Sequence, residues 1–318
     1  MAFNTTNSAA VIEQEVYSRF IVENLHDGLL PDSFSRNVAD FGSGERLNIP
    51  VIGSATVQDV EEEVPMTYNA IDTGRVYLNI TDYVGDAWSV SDILRQDGYL
   101  VESLMSERAK EGTRALQEHF ETRFLEAANK GQTATDPNTI NGFAHRIASA
   151  DTDGLALLDH FRQMKLSFDK AKVPQGGRVC FVDPVVEATL NALFTMTAPT
   201  NGSTYNYNFE GLVQSGFERD HRFVRNIFGW DIWTTNYLPR GSFGDGTTTI
   251  ADGVANVFMC IGSDSTKPVM RAWRMSPKAE NRRNFELKRD EYDIRARFGL
   301  GVQRVDTLGV LITSASNY

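Results

Sequence analysis

Apolar side chains recur every three or four residues at Leu100, Leu104, Met105, Ala109, Leu116, Phe120, Phe124 and Ala127, while Lys110, Arg114, Gln117, Glu118 and Glu121 fall on the opposite side. This is the spacing of a helix with one buried face. No proline occurs between Pro65 and Pro137, so nothing in that window forbids a long helix. Gly98 costs about 1 kcal/mol in a helix interior. The continuous helix is therefore expected over about 99–129, with Ile93 to Gln96 as a separate turn capped by Ser91-Asp92. A helix over most of this stretch is roughly 45 to 55 Å long, which suits either a long core helix or a strut.

Upstream the period changes to two. Leu47, Ile49 and Val51 alternate with polar residues from Arg46 towards Val60, and Val76, Leu78 and Ile80 alternate again from Arg75 to Val84. These runs predict a long two-stranded excursion. Its connection, Asp59 to Tyr68, is acidic and carries Pro65, so Glu61, Glu62 and Glu63 read on their own as a solvated loop. A protruding hairpin cannot bury its own faces and is marginal in isolation, so its cover is expected to come from outside the subunit. Further upstream, Val11, Ile12, Val16, Phe20, Ile21 and Leu25 predict an amphipathic helix over residues 8 to 25, with Ser8 as its cap.

Downstream, Gly131 to Asn141 is rich in Thr, Asn, Asp and Gly and reads as a surface loop. Leu155, Leu158, Phe161, Met164, Leu166 and Phe168 predict a helix ending near Lys172. Arg178 to Val182 is a short buried strand, and Asp183-Pro184 opens a further helix through Val186, Leu190, Leu193 and Phe194. Strands are expected over 228–237, 254–261, 268–275, 286–298 and 305–313. Loops are expected at Asn201 to Phe209 and Pro239 to Gly246. The mixture is α+β.

At 318 residues, 41% of them hydrophobic, the chain has material for one large or two modest domains. A formal charge of -11 argues against nucleic-acid backbone binding as the primary activity, since phosphates are repelled rather than neutralised. The charge is uneven: the first lysine is Lys110, and a basic cluster of Arg271, Arg274, Lys278, Arg282, Arg283, Lys288 and Arg289 lies near the end. No apolar run approaches the length of a membrane span, and the first residues lack a basic then apolar secretion signal, which places synthesis in a cytosol.

Chemistry is hard to find. Cys180 and Cys260 sit in apolar runs and read as buried thiols, with no CxxC or histidine cluster to suggest zinc. GxxxxGK[ST], HExxH and GxSxG are all absent, and the five histidines are dispersed. Aligning Gly154 with the glycine of a calcium loop puts Ser149 first and His160 last, where glutamate is required. Gly42-Ser-Gly44 reads as a turn.

The order of elements resembles the major capsid proteins of tailed bacteriophages, the HK97 fold. The likeness is closer to T7-like short-tailed (podovirus) phages. There, an Arg-Val strand leading into Asp-Pro is similar to Arg178-Val-Cys-Phe-Val-Asp-Pro184, a Gly-aromatic strand is similar to Gly229-Trp-Asp-Ile, and a basic stretch is similar to Asn281-Arg-Arg-Asn-Phe. The order covers roughly 40 to 314. This resemblance implies an HK97-like α+β fold: an N-terminal arm (1–43), an extended β-hairpin or E-loop (44–84), a P-domain with the spine helix (85–149), an A-domain (150–265) and P-domain return strands (266–318).

It also implies a structural coat protein, not an enzyme, that self-assembles into hexamers and pentamers of an icosahedral shell around double-stranded DNA. It would be made in the host bacterial cytoplasm and reside in the virion. Partners are copies of itself, a scaffolding protein, a portal and a cement or decoration protein, with weak nonspecific DNA contact, no membrane and no cofactor. In that family the E-loop lies across a neighbour, which sets Glu61, Glu62 and Glu63 opposite the basic residues Lys278, Arg282 or Arg283 of another copy. Asn201, Tyr205 and Tyr207 in one loop, and Ser242 and Asp245 in another, are expected near the capsomer centre. The name-giving member cross-links an E-loop lysine to a neighbour's asparagine; with no lysine before Lys110, that chemistry is excluded here. Two other readings are an encapsulin-like nanocompartment holding cargo and a soluble α+β enzyme with an unrecognised site.

Overall fold

The computed structural model describes residues 33–38, 44, 46–53, 57–60, 62–63, 65, 73–97, 101–130, 136–150, 154–195 and 223–314. The helix expected over 8–25, the residue Glu61 and the loop holding Asn201, Tyr205 and Tyr207 lie outside them. A short strand β1 (Arg36–Asn37) precedes a hairpin of β2 (Arg46–Ile52) and β3 (Thr73–Asn79), then β4 (Asp82–Ser91). The expected strand over 75–84 is thus two strands, broken at Ile80-Thr81. β3 pairs with β2, whereas β4 joins another sheet.

Helix α1 (Asp92–Asp97) is the separate turn, with the Ser91 hydroxyl accepting from the Leu94 amide at 3.3 Å. Helix α2 (Val101–Lys130) follows. Met105, Ala109, Leu116, Phe120 and Phe124 are buried, and Lys110 and Arg114 are exposed, as their spacing requires.

The hairpin β5 (Thr139–Ile140) and β6 (Phe143–Ala144) and the strand β7 (Arg146–Ser149) were not legible as strands. Asn141 and Gly142 join β5 to β6 with φ of 51° and 85°, the left-handed pair that a two-residue hairpin turn needs. Helix α3 (Gly154–Lys170), strand β8 (Arg178–Val182) and helix α4 (Pro184–Thr195) match expectation. The Asp183 carboxylate accepts from the Val185 amide at 3.2 Å, capping α4.

Strands β9 (Phe223–Ile227), β10 (Trp230–Thr234), β11 (Arg240–Gly244) and β12 (Thr249–Cys260) come next. Pro239 to Gly246 is therefore mostly strand, because β11 pairs with the first half of β12. The chain ends on β13 (Val269–Asn284), β14 (Arg289–Val302) and β15 (Leu308–Ser314). β13 and β14 are longer than their patterns suggested and meet in a turn at residues 285–288, so most of the basic cluster lies within the ribbon.

Two main sheets result. The first runs β1-β13-β14-β4, and the second runs β7-β15-β12-β8-β10-β9, with β11 also on β12. α2 serves both. Its Ala109, Leu116 and Phe120 pack on Ile294 and Phe298 of the first sheet. Further along, Phe124, Leu125 and Ala128 pack with Val179, Phe181, Val257 and Met259 of the second. α3 and α4 cover another face of the second sheet, where Phe161 and Phe168 meet Trp230 and Phe258. Buried Arg178 is satisfied by Asp169 at 2.6 Å and by the carbonyls of Val173 and Pro174.

The hairpin β2–β3 is covered in part by its own chain, which corrects the expectation of wholly external cover. Leu47, Ile49 and Val76 pack around buried Leu78, Met270 and Ala272. This approach needs glycine: a Cβ at Gly299 would lie 2.4 Å from the Asn79 carbonyl oxygen, and one at Gly301 would lie 3.0 Å from Leu78. Beyond the root, cover ends, and Val57 and Val60 are 95% and 68% exposed.

Two predictions follow from the packing. Phe120 stacks on Trp273 with centroids 5.2 Å apart and touches Phe298 at 4.8 Å. Phe120→Ala is expected to cost about 3–5 kcal/mol in denaturant unfolding, whereas Lys110→Ala on the exposed face stays within about 0.5 kcal/mol. His145 is fully buried, stacks on Phe168 and has its Nδ1 3.3 Å from the Phe143 carbonyl oxygen. Burial holds its imidazole below the ordinary value of 6.5. The unfolded chain therefore takes up that proton first, and stability present above pH 6.5 is lost as pH falls towards the depressed folded value. His145→Phe is expected to flatten this part of the melting temperature's pH dependence.

Candidate assembly surfaces

Alternation along β14 puts Ile294, Ala296 and Phe298 under α2 and turns Arg289, Glu291, Asp293 and Arg295 outward. Register sets these against β13: Lys278 opposite Arg295, Glu280 opposite Asp293, Arg282 opposite Glu291, and Asn284 opposite Arg289. On the other side of β14, the edge strand β4 contributes Gly85, Ala87, Ser89 and Ser91 to the same face. Tall charged columns beside a column of small residues leave a trough of about 580 Å³ lined by Ala87, Ser89, Glu280, Arg282, Glu291 and Asp293, among others.

The charges are mostly spent on each other. Lys278 reaches Glu280 at 2.6 Å, Arg295 pairs with Glu280 and Asp293, and Arg289 reaches Glu291 at 2.7 Å. At the end of the ribbon, Arg283 holds both carboxylate oxygens of Asp92 at 2.5 Å and reaches Asp290 at 2.9 Å, while Arg95 meets Asp290 at 2.8 Å. These contacts depress the carboxylates. The hydrogen bond from Arg283 takes Asp92 below its ordinary 3.8, and those from Lys278 and Arg289 do the same for Glu280 and Glu291. Carboxylates shifted down lose their partners only as pH falls through the depressed folded values, so the network persists under mild acid.

Against this geometry, the expected site divides. Lys278 and Arg283 already have partners in their own chain. Arg282 is exposed and makes no hydrogen bond or ion pair among the described residues, which leaves it open to a partner. Glu62 and Glu63 are exposed, with Glu63 at a φ of 69°. Ser242 is an exposed residue of β11. Asp245 follows in a turn and accepts from the amides of Ala148, Thr247 and Thr248, so it holds the β11–β12 corner together.

Sequence reading missed Asp92 and Asp290 as partners of Arg283. Nearly two hundred residues separate Asp92 from it, and only the register of β4 on β14 brings them together. It also missed the exposed Phe285 and Leu287, because Asn284-Phe-Glu-Leu-Lys288 alternates like a strand. Among the described residues no His, Cys, Asp or Glu cluster is placed to hold a metal ion, and no described helix is long and apolar enough to cross a membrane. Both cysteines are free and buried, and burial pushes the Cys180 thiol up.

The phage capsid protein family matches residues 75–313. The chain belongs to that family. No curated protein matches it. Among solved structures, this capsid protein is similar to the capsid of cyanophage P-SCSP1u, with 19% identity over 91% of this chain and 89% of that one and a TM-score of 0.67. It is also similar to the mature capsid of bacteriophage PhiM1, at 11% identity over 90% and 87% and a TM-score of 0.63. For the virus-like particle from Pyrococcus furiosus the figures are 12%, 94% and 99%, and 0.53. The architecture is the HK97-type α+β capsid fold.

Because α1 buries none of its own side chains, its place in the capsid protein depends on polar contacts, of which the two-pronged grip of Arg283 on Asp92 is joined by Arg95 on Asp290 and the Asp92 amide on the Lys288 carbonyl oxygen. Arg283→Met is expected to accelerate amide hydrogen exchange over residues 92–97 severalfold, and Arg282→Met to leave it unchanged.

Proposed function

We propose that this is the shell-forming major capsid protein of a tailed bacteriophage of the T7-like short-tailed kind, assembling as hexamers and pentamers of an icosahedral shell around double-stranded DNA. The observation that carries this reading is the hairpin β2–β3: it is rooted on the first sheet of its own chain, yet beyond that root Val57 and Val60 are mostly exposed. Such an end gains little as a monomer and is satisfied by lying on another copy. The match to the phage capsid family over three quarters of the chain supports the same conclusion, and the Arg178 to Pro184 segment supports the short-tailed kind. We divide the chain into arm (1–43), E-loop (44–84), P-domain with spine (85–149), A-domain (150–265) and return strands (266–318). The loop with Asn201, Tyr205 and Tyr207, and the corner with Ser242 and Asp245, are proposed to approach the capsomer centre.

The shell is held by noncovalent contacts, aided by a scaffolding protein during assembly and by a cement protein afterwards, with a portal at one vertex. The charge of -11 keeps packaged DNA from adhering to the wall. Glu61, Glu62 and Glu63 are proposed to face the ribbon of a neighbour. With Lys278 and Arg283 paired internally, Arg282 is the cation that gains most from them.

Negative-stain microscopy of the chain expressed with its genomic neighbours tests the proposal. Closed shells or capsomers support it, a persistent monomer contradicts it, and particles filled with protein instead of DNA favour the nanocompartment reading. Reversing Glu61, Glu62 and Glu63 to lysine is expected to abolish normal particles while shifting monomer stability by no more than about 0.5 kcal/mol. Normal particles from that variant would defeat the E-loop contact.

A further inference from the structure

Among the described asparagines, Asn141 alone is followed by glycine. The pair makes the two-residue turn from β5 to β6, with φ of 51° and 85°, and both residues are exposed. Asparagine is chemically labile in water: the backbone nitrogen of the next residue attacks the side-chain amide carbon and expels ammonia. What ordinarily slows this is that next residue, whose Cβ crowds its own nitrogen and whose amide is tied into a hydrogen bond. Neither restraint operates here. Gly142 has no Cβ, and one built on it would meet nothing within 4 Å, so the space beside its nitrogen is open. Its amide donates no hydrogen bond among the described residues.

The restraint lies instead on the group that is attacked. The Asn141 side-chain amide donates from Nδ2 to the Lys170 carbonyl oxygen at 2.9 Å. Lys170 is the last residue of α3, so this carbonyl is one of those that a helix end leaves without an intrahelical partner. The reactive side chain is therefore also a cap of α3. Two further ties hold β6 against the same helix: the Ser167 hydroxyl donates to the Ala144 carbonyl oxygen at 2.7 Å, and the Lys170 ammonium lies 5.6 Å from the Phe143 ring centroid. Asn138, three residues earlier, is an internal standard, because it is followed by Thr139, whose branched Cβ sits beside the attacking nitrogen.

We propose that Asn141 is a site of spontaneous deamidation, restrained by its contact with α3 and freeing the β5–β6 turn from that helix once it reacts. The Gly142 nitrogen bonds to the Asn141 side-chain carbon, the carbon–nitrogen bond of the side-chain amide breaks, and ammonia leaves with the proton given up by Gly142. Water then opens the cyclic imide at either carbonyl, giving aspartate or isoaspartate; the sum is amide plus water to acid plus ammonia. The product carboxylate accepts where the amide donated, so two oxygens face each other and the Lys170 carbonyl loses its partner. Isoaspartate in addition lengthens the backbone by one carbon, in a turn whose length sets the β5–β6 register.

The test uses the intact wild-type chain, kept below its melting temperature in heavy-oxygen water at mildly alkaline pH and read by peptide mass spectrometry. Asn141 is expected to take up label as its amide becomes an acid, severalfold faster than Asn138, with isoaspartate among the products. If Asn141 stays an amide in the folded chain while the urea-unfolded chain converts there, or if Asn138 converts as fast, the proposal is overturned. Ser167→Ala removes one tie without touching the reacting atoms, and is expected to speed conversion of Asn141 severalfold; an unchanged rate would overturn the restraint by α3. Asn141→Asp, the product itself, is expected to raise amide hydrogen exchange over residues 139–144 severalfold and to lower the melting temperature. Exchange and melting temperature equal to wild type in that variant would overturn the freeing of the turn.

Discussion

The fold depends on one helix being buried twice. Up to Phe120, α2 lies on the first sheet; from Phe124 onward its apolar face belongs to the second. The change takes place within about one helical turn, and the aromatic side chains there are closely packed: Phe120 against Trp273 and Phe298, and Phe124 against Phe181. A helix cannot change the spacing of its own residues, so the two sheets hold the relative position that α2 allows. Thr235 and Tyr237, just past β10, reinforce this. The Thr235 hydroxyl donates to Glu121 at 3.1 Å, and burial, together with the hydrogen bond to Glu118, raises the Tyr237 phenol.

Within the second sheet, buried polar groups fix what apolar packing leaves adjustable. Asn256 in β12 accepts from the Asp183 amide and donates to the Leu311 carbonyl and the Thr313 hydroxyl, so one amide ties β12 to the strands on both sides. Asp183 in turn caps α4 and pairs with Arg240. Arg146 donates to the Gly244 carbonyl and to Asn129 at the end of α2. Buried groups of this kind are costly when unpaired, which penalises any register that separates them.

Much of this was readable in advance because periodicity reports burial directly. α2, α3, β8 and α4 appear where their apolar spacing or cap residues put them. The failures share a cause. Arg240 to Gly244 is short, polar and glycine-containing, and becomes a strand only because β12 lies beside it; β7 exists for β15 in the same way. Pairing over a long sequence separation leaves no local trace. The charged surface failed for that reason too: the basic cluster was visible, but the register that matches Arg283 to Asp92 was not, and of Lys278, Arg282 and Arg283 it leaves Arg282 without an ion pair among the described residues.

The two glycines of β14 under the hairpin have a mechanical consequence. They let β3 seat against the sheet with backbone nearly touching backbone, so the hairpin behaves as a cantilever clamped at its base. β2 alone has seven residues, a reach of roughly 23 Å at strand rise, and over that length a tilt of about 10° at the clamp displaces the far end by roughly 4 Å. That exceeds the tolerance of a hydrogen bond. A methyl group added at Gly299, deep in the interior, would therefore be felt most at the far end of the hairpin, which it does not touch.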